Sequence, residues 1–380
     1  MPIPYFDYAA STPVDPRIIP AMVALLGPNG DFANPSSTLH GPGQAAAERV
    51  QSARLQVAAL LGADPREIIF TSGATEASNL ALLGLAQRHP GGHLVTSAIE
   101  HDAVLAPCAW LESRGWRVTR VRPEACGRVD PAAIASALQP DTFLVSLMHA
   151  NNETGVINDI AATGALCRAR GVAFHIDAAQ SAGALGLDTT RLDVDLVSIS
   201  AHKLYGPKGV GALYLRRRAG LALEPLLHGG GQERGLRAGT LATHQIAGLG
   251  LACALAQRER EADTARIATL RDRLQDGLAP LPGVTFNGAT APRLPGHLHF
   301  SVRGVQGETL LRALAAALAI SGGSACHSAT MTPSHVLTAM GLPPALAQAS
   351  VRLSLGRFST DADVDLALEV ISRTVARLRG

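Results

Sequence analysis

Two stretches, VAFHIDAAQS at 172–181 and LVSISAHKLYGPKG at 196–209, decide how the chain folds. Each opens on a short apolar run rich in β-branched residues and closes on a side chain with chemistry to offer, Asp177 in the first and Lys203 in the second. Such runs, bounded by polar and glycine residues, read as strands. The pattern continues outward in both directions. IIFTSG, HLVTSA, WRVTRVR, TFLVSLMHA and GALYLRR are further runs, separated by helix-length segments from about residue 16 to about residue 255. Strands alternating with helices predict an α/β fold built on a mostly parallel seven-stranded sheet with helices on both faces. Ligands in such sheets bind beyond the carboxyl ends of the strands. TSGATEASN, SAIEHDA, HANNETG, IDAAQS and SAHK all fall there.

Past residue 255 the pattern changes to a charged amphipathic stretch, QREREADTARIATLRDRLQDGL, then short strands (GVTFNG, HLHFSV), helices, VRLSLGRF and a terminal helix. This predicts a smaller α+β domain formed by residues 1–14 and 256–380, beside a large domain at 15–255. With 47% hydrophobic and 17% charged residues, the 380-residue chain has the composition of a soluble enzyme with a large core. A formal charge of +2 with scattered arginines argues against a dedicated nucleic-acid binder. No apolar run reaches membrane-spanning length and the start lacks a signal-peptide pattern, so a cytoplasmic location is expected. Thirteen histidines and five cysteines form no HExxH or CxxC spacing, so neither a metal site nor a disulfide framework is expected.

Of 33 lysines and arginines only two are lysine, Lys203 and Lys208, both in the second opening stretch. Drift from lysine to arginine explains the rarity but not the place. An amine can be neutralised and made a nucleophile, which a guanidinium cannot, and lysine is the side chain that forms Schiff bases. In TSGATEASNLALLG a strand runs into a helix through Thr71, Ser72, Gly73, Ala74 and Thr75, a place where free backbone N–H groups can cradle a phosphate. Taken alone, a Ser/Thr helix cap is the simpler reading of that turn, and a capping carboxylate an equally simple reading of Asp177. Taken with Lys203, the three meet the requirements of pyridoxal phosphate: an amine, an acidic partner for a pyridinium nitrogen and a helix N-terminus for a phosphate.

At this point the chain resembles the class V aminotransferases of the pyridoxal-phosphate fold-type I group, and within them the cysteine desulfurases of the NifS/IscS type. The resemblance rests on YFDYAASTPVDPR, ANPSSTLHGPG, FTSGATEASNLAL, EHDAVL, MHANNETG, HIDAAQS, SAHKLYGPKGVGALY, HGGGQERGLRAGT, SGGSACHSA and VRLSLGRF, spread over nearly the whole length. It implies that Lys203 carries the cofactor, Asp177 keeps its ring nitrogen protonated, Gln180 reaches its phenolic oxygen, Asn152 orients it and His101 covers its face and serves in proton transfer. Ala74, Thr75, Ser200 and His202 would hold the phosphate, with Thr240 lent by the neighbouring subunit of a homodimer with shared active sites. Arg352 would grip the carboxylate of L-cysteine with help from Asn34. Arg357 is read as a structural ion pair, and Lys208 as serving structure or solvation in a glycine-rich turn.

Cysteine placement bears on which reaction follows. Cys108, Cys167 and Cys253 lie in apolar helical pattern and Cys126 in a turn, whereas Cys326 sits in the polar glycine- and serine-flanked stretch SGGSACHSA. By the resemblance, Cys326 is the nucleophile that takes sulfur as a persulfide and passes it to a sulfur-acceptor protein, serving iron–sulfur cluster assembly, tRNA thiolation or DNA phosphorothioation. The Cys326-His327-Ser328 sequence also resembles selenocysteine lyases, which keeps that activity open. A class V transaminase needs no cysteine there.

Overall fold

The computed structural model describes residues 3–322 and 333–379. Seven strands, β1 (Ile68–Thr71), β2 (His93–Ser97), β3 (Arg117–Val121), β4 (Thr142–Met148), β5 (Ala173–Asp177), β6 (Leu196–Ser200) and β7 (Gly211–Leu215), form one sheet in the order β1-β7-β6-β5-β4-β2-β3. From β3 to β6 every pairing is parallel. The inner strands β4, β5 and β6 are buried along their whole length because helices cover both faces, whereas the edge strand β3, RVTRV, is partly exposed.

The strand read from GALYLRR, β7, departs from the simple βαβ expectation. It runs antiparallel to both β6 and β1. The reason is length: a parallel crossover takes a dozen or more residues, and only 201–210 separate β6 from β7. Gly211 begins β7 because nothing larger fits. A Cβ there would lie 2.4 Å from the Ile199 carbonyl oxygen and 2.7 Å from the Cα of Gly73, so the bare backbone lets β7 lie against the turn after β1.

One face of the sheet packs under the helices Gly41–Leu61 and Ile160–Arg170 and the first half of the 36-residue helix Thr243–Leu278, around Val57, Phe174, Ile199 and Leu249. The other face packs under Ala74–Ala86 and Asp102–Glu112, around Leu80, Leu94, Leu144 and Leu213. A second, antiparallel sheet has the order β10-β9-β8, formed by β8 (Val284–Phe286), β9 (His297–Val302) and β10 (Ser350–Ser354). Its core joins Phe300, Leu353 and the terminal helix Asp361–Arg379 to Ile267, Leu270, Leu274 and Leu278 from the second half of the long helix. Residue 255, where the sequence pattern changes, therefore falls inside a continuous helix. The start of the chain reaches this smaller core. Phe6 is wholly buried in it, Tyr5 bridges Ala319 and Asp7 bridges Ser354.

Candidate functional site

The carboxyl ends of β1, β4, β5 and β6 open onto one cavity of about 450 Å³. Alternation along the strands decides which side chains face it. Met148 at the end of β4 pairs in register with Asp177 at the end of β5, and both line the cavity with Ser200 of β6. Ten of the sequence-predicted residues meet there: Ala74, Thr75, His101, Asn152, Asp177, Gln180, Ser200, His202, Lys203 and Arg352. Asn34 and Thr240 do not. Both are exposed and away from the cavity of their own chain, and the Asn34 side chain accepts the N–H of Ser36 at 2.9 Å. Cys326 and His327 lie outside the described residues.

Lys203 ends a single 3₁₀ turn after β6, and its Nζ donates to the carbonyls of Ala9 and, at 2.9 Å, Ala10. The N-terminal segment thus aims the amine. Gln180 shares this anchor, its Nε2 donating to the Ala9 carbonyl at 2.9 Å, so the donor expected for a ring oxygen is engaged by the backbone here. Beside Lys203, the His202 imidazole is pushed down to about 4, by burial first and then by the charges of Lys203 and Lys208, and is neutral at physiological pH. Lys208, expected to serve only the turn, also lines the cavity.

Asp177 is only 6% exposed and its Oδ1 accepts the N–H of Ala179 at 2.9 Å. Burial raises its pKa, opposed by that hydrogen bond and by His101 and Lys203. A buried acid in this state gains most from a cation placed directly against it. The helix Ala74–Ala86 starts with no side-chain cap at Gly73, so its first N–H groups and positive dipole end face the cavity, with Ser72 and Thr75 beside them. His101 caps the next helix, its Nδ1 accepting the N–H of Ala103 at 3.0 Å, which leaves the proton of the neutral ring on Nε2.

On the other wall, Arg352 is 2% exposed. Its Nη2 meets Asp7 at 2.7 Å and its Nη1 donates to the Asn152 carbonyl at 3.0 Å. Arg357, five residues on, is held by Asp15 at 2.7 Å and Asp263 at 2.9 Å over the ring of Tyr205. Its position outside this cavity and its two carboxylates make it an ion-pair residue. Sequence reasoning did not single out Ala9, Ala10, Glu153 or His335 as lining residues. The first two act through backbone carbonyls, which leave no side-chain signal.

Among the described cysteines, burial pushes the thiols of Cys108 and Cys167 up to about 12 and that of Cys253 higher still, so they supply no thiolate at neutral pH. Cys126 stands in a turn with its Sγ 3.4 Å from a Glu124 carboxylate oxygen. Among the described residues no group of three or more His, Cys, Asp or Glu gathers as metal ligands, and no helix is long and apolar enough to cross a membrane.

The model of the aminotransferase class-V family matches residues 4–367. The chain belongs to the class V aminotransferase family. Among curated members, it is 53% identical over 377 residues to the cysteine desulfurase IscS of Shewanella woodyi, covering 99% of this chain and 93% of that one. A solved NifS-like protein superposes with a TM-score of 0.91 at 35% identity, over 99% of this chain and 100% of its own. A structure described as SspA in complex with cysteine matches with a TM-score of 0.83 at 38% identity, over 94% of this chain and 100% of its own. This class V member thus has the fold that its sequence predicted.

Proposed function

We propose that the chain is a pyridoxal 5'-phosphate-dependent cysteine desulfurase, which converts L-cysteine to L-alanine and delivers the sulfur to an acceptor protein. The observation that carries this reading is the convergence of an amine, a buried carboxyl, an uncapped helix start and a buried guanidinium on one cavity. These residues fit the cofactor: Asp177 would hold a cationic ring nitrogen, and the N-terminus at Ala74 and Thr75, with Ser200 and His202, would take a phosphate. When bound, the cofactor supplies the electron sink that makes the substrate's Cα proton removable.

The remaining work falls to the protein's own groups. Lys203, aimed by the carbonyls of Ala9 and Ala10, supplies the attachment point and a proton acceptor near Cα. His101 presents Nε2–H to the cavity from a ring fixed by Ala103. Arg352, oriented by Asp7 and the Asn152 carbonyl, offers its fork to the substrate carboxylate, with Asn152 beside it. Cys326 is assigned as the nucleophile. Its thiolate forms the S–S bond, the substrate's C–S bond breaks with its electron pair left on carbon, and protonation there completes alanine.

The active unit we propose is a homodimer in which Thr240, and Asn34 with it, complete the partner's cavity. The exposed apolar residues Ile19, Val23, Leu26, Phe32 and Leu39, close to Asn34 in sequence, support such an interface. The small antiparallel sheet with its own core supports a separate domain built from residues 1–14 and 256–380. Free, buried thiols support a cytoplasmic location.

The test is to incubate the purified holoenzyme with L-cysteine, quantify alanine and map persulfide by mass spectrometry. Wild type should form alanine and a persulfide on Cys326, whereas Cys326→Ser should retain cofactor and form neither. Full activity in Cys326→Ser would overturn the assignment.

A further inference from the structure

Tyr205, two residues after Lys203, has a left-handed backbone with φ at +62°. For a bulky side chain that conformation is strained, and it persists only where the surroundings hold it. Thr12 does so on one side, its Oγ1 accepting the Tyr205 N–H at 2.9 Å and donating to the His202 carbonyl at 2.9 Å. Asp15 does so on the other, its N–H donating to the Tyr205 carbonyl at 2.9 Å. The turn that bears Lys203 therefore also fixes where the Tyr205 ring points.

The ring points into the loop that follows β10, the strand of Arg352. Its hydroxyl oxygen accepts the Arg357 N–H at 2.6 Å. The Arg357 guanidinium lies over the ring, 4.5 Å from its centre, and the Phe358 ring meets it edge-on at 5.8 Å. Gly356 permits the approach, since a Cβ there would lie 2.6 Å from the Tyr205 oxygen. Asp15 closes a circuit, because its carboxylate holds Arg357 at 2.7 Å while its N–H holds the Tyr205 carbonyl. From the long helix, Arg266 fixes the far side of the loop by donating to the carbonyls of Arg357 at 2.5 Å and Ser359 at 2.8 Å. Chain continuity carries this grip back along the loop to β10 and Arg352.

We propose that Tyr205 is a positioning residue for the substrate carboxylate: it ties the turn of Lys203 to the strand of Arg352, and so fixes the separation of amine and guanidinium that an amino acid must bridge. The proposal rests on the reading of Arg352 as the partner of that carboxylate. Tyr205 supplies position rather than charge, since burial pushes its phenol up to about 12 and leaves it protonated at neutral pH. The strained backbone has a use here, because an extended or right-handed one at the same residue would aim the ring away from the loop.

The test compares L-alanine with ethylamine, which lacks only the carboxylate, in absorbance titrations of holoenzymes matched for cofactor loading and circular dichroism. Tyr205→Phe removes one hydrogen bond to the loop, so the dissociation constant for L-alanine should rise about fivefold while that for ethylamine stays within about twofold. KM for L-cysteine should rise with it at nearly constant kcat, the mark of lost binding rather than lost chemistry. Tyr205→Gly relieves the left-handed backbone but also takes the ring from Arg357 and Phe358, so the L-alanine constant should rise at least about twentyfold, with ethylamine again within about twofold. An unchanged ratio of the two constants in the glycine variant, or equal losses of both ligands in either variant, would overturn the proposal, the second by making Tyr205 a structural residue. Arg352→Gln separates the two levels. If it spares L-alanine, the underlying reading of Arg352 falls; if it weakens L-alanine while the Tyr205 variants do not, the proposal alone falls.

Discussion

Glu100→Gln should stabilise the cofactor-free protein, and by an amount that grows with pH. Glu100 is fully buried, its Oε1 accepts from Ser97 and Met148, and its Oε2 has no partner among the described residues. Burial pushes its carboxyl from the ordinary 4.5 up to about 8, partly offset by those two hydrogen bonds and reinforced by nearby Asp177. The folded state therefore keeps this proton when the unfolded chain has lost it. A raised native pKa contributes stability that is whole below pH 4.5 and is lost progressively as pH rises to about 8. Each pH unit in that window costs about 1.4 kcal/mol, so wild type gives up roughly 3 kcal/mol between pH 4.5 and 7. Glutamine keeps the Oε1 acceptor and does not titrate. For 380 residues this amounts to a melting-temperature gap that opens by about 4 °C between pH 4.5 and 7 and stops growing above pH 8. Differential scanning calorimetry of the two cofactor-free proteins across that range measures it directly. Curves that stay parallel at every pH would show that Glu100 ionises freely in the folded state.

Three further outcomes follow from the cavity. Borohydride reduction of the holoenzyme should fix the cofactor on Lys203; peptide mapping that finds it on Lys208 would transfer the assignment to the other cavity lysine. Asp177→Asn keeps the acceptor for the Ala179 N–H but removes the charge opposite the ring nitrogen, so turnover should drop at least about 100-fold while the cofactor-free protein melts no lower than wild type near pH 7, as steady-state kinetics and calorimetry would show. Mixed dimers of Lys203→Ala and Thr240→Ala chains should recover one intact site, and an assay without any complementation would argue against a shared cavity.

The strands and the direction in which they present the site were legible because fully buried strands leave unbroken apolar runs. Lys203 stood out because only two of the 33 basic residues are lysine and this one directly follows an apolar run that reads as a strand. Arg352 and Arg357 look alike in VRLSLGRF. Only the fold shows that one faces the cavity with Asp7 while the other is claimed by Asp15 and Asp263. The anchors of Lys203 and His335 were invisible for a common reason: Ala9, Ala10 and Glu100 hold these side chains by main-chain carbonyls, which every residue has. The direction of β7 was written in the sequence, in the ten residues allowed between two strands, but required counting the connection as well as the runs.

The helix Thr243–Leu278 behaves as a beam with each end set in a different footing. Thirty-six residues at ~1.5 Å each give a span of about 54 Å, with Leu249 and Cys253 gripped at one end and Leu274 and Leu278 at the other. Arg352 rides on the far footing and Lys203 on the near one. A flexure of only ~5° at mid-span swings the far end by about 2 Å, most of the length of a hydrogen bond. The stiffness of one helix therefore helps set the distance between the guanidinium and the amine, and substitutions at mid-span, remote from the cavity, can retune how a substrate is gripped at both ends.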